Sequence, residues 1–321
     1  MSGRIGKAFV LGAGLGTRLR PLTLVRPKPL IPIFGKPLIT FALDHLCAVG
    51  IKSFVINTHH LGGQMEEFFR NQSYAGCSVK LVHEPDLLET GGGIKNAEVW
   101  IGPGPFIVYS GDILTDIELE ELIDQHFRKG NDVTLALRTT GLAAGLALDD
   151  DGRVTAIEPG RSHSGAFDFA NVSIWNRDIF QRIPAGKKVS FVPILIDWLR
   201  SGGKIGGVVL NEREWFNIGS RSDYLKVHQV ISARRWRPNY LSTDPWPASV
   251  ADDAQVDAGA RLTGFYAVGK GCVVEGSTVI EDSILWEGAT IRAGSILRSC
   301  VVAGSLVISG RHENADLTAP V

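Results

Sequence analysis

The sequence predicts an α/β protein, a mostly parallel sheet with helices on both faces, followed by a short left-handed parallel β-helix. Three observations predict it. Up to about residue 235, short apolar runs alternate with segments of helical period; a proline-rich stretch then interrupts the pattern; beyond it, apolar residues recur every six positions.

Taken in order, KAFVLG (7–12), SFVINT (53–58), VKLVHE (79–84) and PFIVYSGD (105–112) have the length and apolar density of buried parallel strands. Between them, Leu38, Phe41, Ala42, Leu46 and Val49 form one helical stripe, and Leu119, Leu122, Ile123, His126 and Phe127 another. Phe191, Ile194, Leu195, Trp198 and Leu199 repeat the spacing. Alternation of this kind describes a Rossmann-like sheet, in which ligands bind at the carboxyl ends of the strands. The loops after Val10, Thr58, Glu84 and Ser110 are therefore the places to look for chemistry. Ser220, with Asp223 three residues on, reads as a capping box opening a last helix. Pro238, Pro245 and Pro247 mark a linker. Val250, Val256, Leu262, Val268, Val274, Ile280 and Trp286 follow at intervals of six, with a neighbouring register through Val279, Leu285, Ile291 and Leu297. No helix has that period, and glycines at the corners suit short strands wound into a β-helix. The expected divisions are a domain over 1–237, a linker over 238–249, a β-helix over 250–310 and a tail over 311–321.

Composition narrows the partners. The chain has 321 residues, 44% hydrophobic and 21% charged, with a net charge of −1 and a pI near 6.7. No global basic field points to nucleic acid or to an anionic membrane, so any anion site is local. No apolar stretch approaches the roughly 18 to 20 residues that span a bilayer. Arg4 and Lys7 precede an apolar run, but glycines interrupt it and Arg18 and Arg20 follow, so no export signal is expected. Cys47, Cys77, Cys272 and Cys300 lie far apart in sequence without CxxC spacing, which leaves free thiols in a reducing cytoplasm as the expectation.

Residues 8–23 read AFVLGAGLGTRLRPLT, a strand entering a turn with Gly12, Gly14 and Gly16. The turn is not a dinucleotide fingerprint, because Thr17 stands where a third glycine belongs, and no Gly-Lys-Ser/Thr follows to make a Walker loop. A glycine turn after a strand still brings backbone N–H groups close to an anion, and Arg18 offers a planar fork for phosphate oxygens. By itself the turn fits equally a tight loop with solvated arginines. The residues that follow decide it. GAGLGTRLRPLTLVRPKPLIPI (12–33) resembles the N-terminal motif of the sugar-1-phosphate nucleotidylyltransferases. The resemblance continues through FGKPLITFALDHL (34–46), NTHHLGGQ (57–64), LETGGGIKNA (88–97), YSGDILTD (109–116), WFNIGSRSDYL (215–225) and the hexad tail.

That resemblance implies attack by a sugar-1-phosphate oxygen on the α-phosphorus of a nucleoside triphosphate, giving a nucleotide sugar and pyrophosphate. The nucleophile is already an anion, so positioning and charge neutralisation replace a catalytic base. The resemblance implies that Arg18 stabilises the departing pyrophosphate and that Lys28, held between Pro27 and Pro29, contacts the phosphates. Leu11, Gly12, Ala13, Gly14, Gly16 and Thr17 would cradle base and phosphate, joined by Glu84, Thr90 and Gly91. Gly92, Glu158, Arg161 and Asn171 would meet the sugar phosphate. Gly91 to Gly93 are expected to admit ligand to the backbone ahead of a helix from about Ile94. Asp112 would hold Mg²⁺, with Asp116 in support. Two departures stand out. The family's W-x-D-I-G reads WFNIG here, so Asn217 replaces a charged metal ligand with an amide. A glutamate-lysine-proline segment reads IEPGRSHSG, so the lysine is missing and Arg161 is the nearby candidate.

His59, His60 and His83 carry no metal-ligand spacing and are expected to line the cleft; Trp175 and Trp215 are expected in the core or a pocket wall. Three functions are in play: an active nucleotidylyltransferase, a regulatory subunit that binds nucleotide sugar, and an acyltransferase using the β-helix. The last lacks a base, since residues 245–310 contain no histidine. Among substrates, the catalytic region with a short hexad tail resembles the family members that use GTP with mannose 1-phosphate, and the LETGGG segment resembles those that use UTP with a GlcNAc- or MurNAc-type sugar phosphate; the first resemblance is the expectation and the second its alternative. Expected partners are thus an NTP and a sugar-1-phosphate, with self-association through the β-helix tail.

Overall fold

Residues 5–141, 145–159, 166–241 and 245–320 are described by the computed structural model. They form two compact units: Met1–Gly14 with Phe41–Trp215, and Leu15–Thr40 with Phe216–Val321. The glycine turn is where the chain passes from the first to the second.

The first unit is built on eight strands: β1 (Lys7–Leu11), β2 (Ser53–Thr58), β3 (Ser73–Tyr74), β4 (Cys77–His83), β5 (Phe106–Ser110), β6 (Val133–Arg138), β7 (Asp168–Trp175) and β8 (Ile205–Val209). Their order is β8-β6-β7-β5-β1-β2-β4-β3. The four strands read from the sequence, β5, β1, β2 and β4, run parallel side by side. β7 runs antiparallel between β5 and β6, and β3 antiparallel on β4. Successive strand residues face opposite sides, and here both sides are buried. Phe9, Val55 and Val108 share one core with Ile94, Ile194, Leu195 and Trp198 of two helices, Glu89–Asn96 and Phe191–Arg200. Val10, Ile56 and Tyr109 are equally enclosed on the other side, where His45 of the helix Leu38–Ala48 meets the Tyr109 hydroxyl at 3.1 Å. The predicted stripes at 38–46, 119–127 and 191–199 thus fall on three observed helices, the second being Leu119–Lys129.

Cysteines distant in sequence meet in space. The end of the Leu38–Ala48 helix brings Cys47 Sγ to 3.1 Å from Cys77 Sγ at the start of β4, both as free thiols. Burial first, and then the hydrogen bond with Cys77, push the Cys47 thiol up to about 12.

In the second unit, Ser220 caps the helix Arg221–Arg234 by accepting the Asp223 N–H. The Asp223 carboxylate returns to the Ser220 hydroxyl at 2.7 Å. The hexads wind into parallel coils. Val256, Val274, Ile291 and Ile308 stack in one column; Leu262, Ile280 and Leu297 stack in a second; Val268, Leu285 and Val302 stack in a third. Stacked partners are 18 residues apart from Leu262 to Ile280 and 17 from Ile280 to Leu297. This shortening corrects the position of Trp286. Leu285 takes the inward corner, and Trp286 is turned to the Tyr224 hydroxyl, to which its Nε1 donates at 3.0 Å. From Val250 to Ile280 and from Leu285 to Leu297, the two registers read from the sequence trace the same three columns before and after the shortened step. Residues 311–318 continue the stack through Arg311–Glu313 and Asp316–Thr318.

Candidate active site

In the first unit, β1 delivers the glycine turn to a buried polar relay. The Gly12 N–H donates to Asn57 Oδ1 at 2.8 Å, and Asn57 Nδ2 donates to Glu84 Oε1 at 2.8 Å. Glu84 Oε2 accepts the Leu88 N–H at 3.0 Å, and Glu84 is 0% exposed. Ala13 is buried beside Gly12, whereas Gly14 is exposed with open space over its Cα. The Gly111 N–H donates to Leu11 O at 2.9 Å, which sets the Gly111-Asp112 turn against the end of β1. Asp112 is half-buried there.

Both oxygens of the Glu84 carboxylate serve the relay, in a place no solvent reaches. The expectation for the glycine run is corrected in this region. Gly91, Gly92 and Gly93 do not precede a helix but lie buried inside one, Glu89–Asn96. Their missing side chains make room for protein. A Cβ would meet Val189 O at 2.9 Å from Gly91, Lys187 O at 2.4 Å from Gly92, and Glu84 Oε1 at 2.7 Å from Gly93. The segment they admit is pinned by Gly92 N–H to Val189 O, by Val189 N–H to Leu88 O and by Phe191 N–H to Thr90 Oγ1. Lys187 and Lys188 ride on it, exposed.

In the second unit, Gly16 has φ 61°, and a Cβ there would meet the Thr23 side chain at 2.7 Å. It opens the short 3₁₀ turn Thr17–Leu19, from which Arg18 is exposed. A Cβ on Gly219 would stand 3.3 Å from both terminal nitrogens of Arg18, so the guanidinium rests against that glycine. Arg18 borders a groove of about 670 Å³ together with Ser220, Lys226 and Asp282. Lys28 begins a second 3₁₀ turn, Lys28–Leu30, and is only 8% exposed. The chain after it is fastened in three places: the Tyr224 hydroxyl donates to Pro32 O at 2.6 Å, Trp246 Nε1 to Ile33 O at 2.8 Å, and the Phe34 N–H to His228 Nε2 at 3.3 Å. Asn217 is exposed at the end of the strand Trp215–Asn217.

Asn171 sits on β7 with φ 63°, where pairing to β6 shifts register between Phe169 and Ser173. A non-glycine residue held in the left-handed region within a strand marks stored strain. Glu158 is exposed, its N–H donating to Gly145 O; Arg161 lies outside the described residues. His59 donates from Nδ1 to Glu84 O at 2.8 Å, and His83 Nδ1 lies 3.4 Å from the Thr58 hydroxyl. Trp175 is fully buried with Nε1 donating to Ser173 Oγ, and Trp215 Nε1 donates to Ala170 O. Asp116 is buried and accepts the Glu214 N–H; burial above all raises its carboxyl, against the pull of Arg213. Among the described residues no group of three or more His, Cys, Asp or Glu gathers to hold a metal ion, and no helix is long and apolar enough to cross a membrane.

Residues 7–234 match the family described as nucleotidyl transferase. The chain is 31% identical over 294 residues to the mannose-1-phosphate guanylyltransferase of Mycobacterium tuberculosis, covering 89% of this chain and 81% of that protein. It is 32% identical over 224 residues to the N-acetylmuramate alpha-1-phosphate uridylyltransferase of Neisseria meningitidis, covering 67% of this chain and 93% of that protein. Among solved structures, HddC from Yersinia pseudotuberculosis complexed with GMP-PN superposes with a TM-score of 0.58 at 25% identity, over 69% of this chain and 97% of that one.

Proposed function

The chain belongs to the nucleotidyl transferase family and is a sugar-1-phosphate nucleotidyltransferase, and from that premise we propose that it joins GTP and mannose 1-phosphate, releasing pyrophosphate. The observation that carries the choice is the 31% identity to a mannose-1-phosphate guanylyltransferase over 89% of this chain.

A phosphate oxygen of the sugar-1-phosphate forms a bond to the α-phosphorus as the bond to the β-phosphate oxygen breaks. Two anions approach and a third leaves, so the work is electrostatic. In this reading Arg18 takes up charge on the departing pyrophosphate, an exposed fork held in place by Gly219. Lys28, nearly buried on a proline-fixed turn, is a preorganised cation for the reacting phosphates. Gly14, with open space over its Cα, admits the nucleotide, while Gly12 is tied to Asn57. Lys187 and Lys188 supplement Arg161 as cations for the sugar phosphate.

One carboxylate and one amide, Asp112 and Asn217, suit an ion that takes most of its oxygens from substrate. Mg²⁺ bound in that way supplies positive charge to the phosphates. A second reading, UTP with an N-acetylmuramate-type sugar phosphate, is supported by the 32% identity to the uridylyltransferase. Pyrophosphate release from GTP, UTP, dTTP, CTP and ATP against a set of sugar-1-phosphates decides between them. GTP with mannose 1-phosphate is expected to show the highest kcat/KM; a UTP and N-acetylated sugar pair in first place replaces the first reading by the second.

A further inference from the structure

Arg18 and Lys28 sit on Leu15–Thr40, a segment that folds with the helix Arg221–Arg234 and the β-helix. Two arginines tie this assembly to specific coils. Arg26, two residues before Lys28, faces the Glu287 carboxylate with both terminal nitrogens: Nη1 donates to Oε2 at 3.1 Å and Nη2 to Oε1. Its guanidinium also lies over the Trp286 ring, 4.8 Å from the centroid. Partial burial works against the charge on Glu287, yet Arg26 outweighs it and holds that carboxyl below its ordinary value.

Arg221 makes the second tie, immediately after the Asn217–Ser220 loop. Its Nε donates to Asp316 Oδ1 at 2.7 Å, Nη1 to Asn314 Oδ1 at 2.9 Å and Nη2 to Ser299 O at 2.5 Å. The Asp316 side chain is only 8% exposed. Two residues upstream, Gly219 supports the Arg18 guanidinium. An exposed ion pair contributes little to stability, but a planar two-point or three-point contact fixes direction. Each tie reaches from a β-helix carboxylate to within three residues of a cation assigned to the phosphates or of the glycine that backs it.

We propose that Glu287 and Asp316 of the β-helix are positioning residues for nucleotidyl transfer, setting through Arg26 and Arg221 where Lys28 and Arg18 stand. The inference rests on the phosphate roles given above to Arg18 and Lys28. It gives the C-terminal coils a part in the reaction rather than in solubility or assembly alone.

The test uses the full chain with Glu287→Gln, Asp316→Asn and the double variant, read in two ways. In steady state with the best substrate pair, the double variant is expected to lose about tenfold in kcat with KM for the nucleotide within about twofold. Charge on the leaving group is met only in the transition state. By hydrogen exchange, the amides of Leu19, Leu24, Leu30 and Ile31 are expected to exchange at least about tenfold faster, with those of Phe9 and Val55 at wild-type rates. Exchange unchanged at those four amides overturns the inference whatever the activity does. So does a kcat loss that matches a fall in folded fraction, or a kcat within about twofold of wild type. Faster exchange in an enzyme whose Arg18→Ala variant keeps full activity would instead remove the phosphate role of Arg18, a separate result from failure of the ties.

Discussion

Asn57 and Glu84 are joined by a 2.8 Å hydrogen bond in which the amide donates and the carboxylate accepts, with both side chains 2% exposed or less. The same Asn57 holds the Gly12 N–H, and the same Glu84 holds the Leu88 N–H, so one buried pair couples the glycine turn to the start of the glycine-rich helix. Two donors converge on Glu84, one on each carboxylate oxygen. Glu84→Gln supplies one acceptor and turns an N–H₂ group toward the other donor. The expected cost is about 1–3 kcal/mol of stability, measured by denaturant unfolding, with a lower kcat/KM for the nucleotide. A Glu84→Gln protein as stable as wild type would show that the relay carries no strain-free geometry worth keeping.

The glycines divide by what occupies the space of their missing side chains. Gly93→Ala drives a methyl to within 2.7 Å of Glu84 Oε1 and 2.8 Å of Asn57 Nδ2. Overpacking of that kind costs about 1–3 kcal/mol. Gly14→Ala meets nothing within 4 Å and is expected to stay within about 0.5 kcal/mol of wild type. Its effect is to appear in function, as a several-fold rise in KM for the nucleotide. Thermal melts beside initial rates separate the two; a Gly14→Ala enzyme with unchanged KM would take the nucleotide away from that face of the turn.

These glycines also show where sequence reading stops. Strands such as FVIN (54–57) and the hexads are local signals, since the period of apolar residues states which side is buried wherever the chain goes. A glycine records only that something comes close. For Gly12 and Gly14 the motif implies a ligand, and the fold leaves open space only over Gly14. For Gly91 and Gly92 it is the backbone of Lys187 and Val189, which no local pattern connects to them. Trp286 failed for a related reason. One residue fewer in a coil moves every later corner, and nothing in a six-residue period announces the deletion. The left-handed backbone of Asn171 and the meeting of Cys47 with Cys77 are likewise products of tertiary placement.

Two buried histidines make stability depend on pH. Burial lowers His45 to about 3 and His228 to about 4, in each case against a backbone hydrogen bond that favours the proton. For His228 the reason is visible: Nε2 accepts the Phe34 N–H, so Nδ1 carries the hydrogen donated to Tyr224 O, and no position is left for a second proton. Both groups have folded values below their ordinary 6.5. The unfolded chain therefore binds the extra protons. Stability is full above pH 6.5 and falls as pH drops from there, toward about 4 for His228 and about 3 for His45, by up to about 1.4 kcal/mol per pH unit for each histidine. Denaturant unfolding at pH 7, 6 and 5 reads this slope. His228→Gln, which keeps an acceptor for Phe34, is expected to flatten it by one proton; an unaltered slope would mean that His228 is not held neutral in the fold.

Asn217 poses the question of charge at the cation most directly. Mg²⁺ prefers carboxylate and phosphate oxygens in a tight octahedral shell, and an amide oxygen ligates without neutralising. With Asn217 exposed at the end of its strand, a carboxylate there would add charge without being forced into a buried place. Asn217→Asp is therefore expected to lower the Mg²⁺ concentration for half-maximal activity several-fold, and Asn217→Ala to raise it. Asp112→Asn, which removes the carboxylate proposed to hold the ion, should cost about 10²–10³ in kcat, the scale on which a single preorganised charge at a reacting phosphate acts. The decisive comparison is a Mg²⁺ titration of the two Asn217 variants against wild type. If aspartate and alanine at 217 leave the Mg²⁺ requirement where it was, Asn217 is no ligand, and Asp112 with the substrate phosphates carries the ion alone.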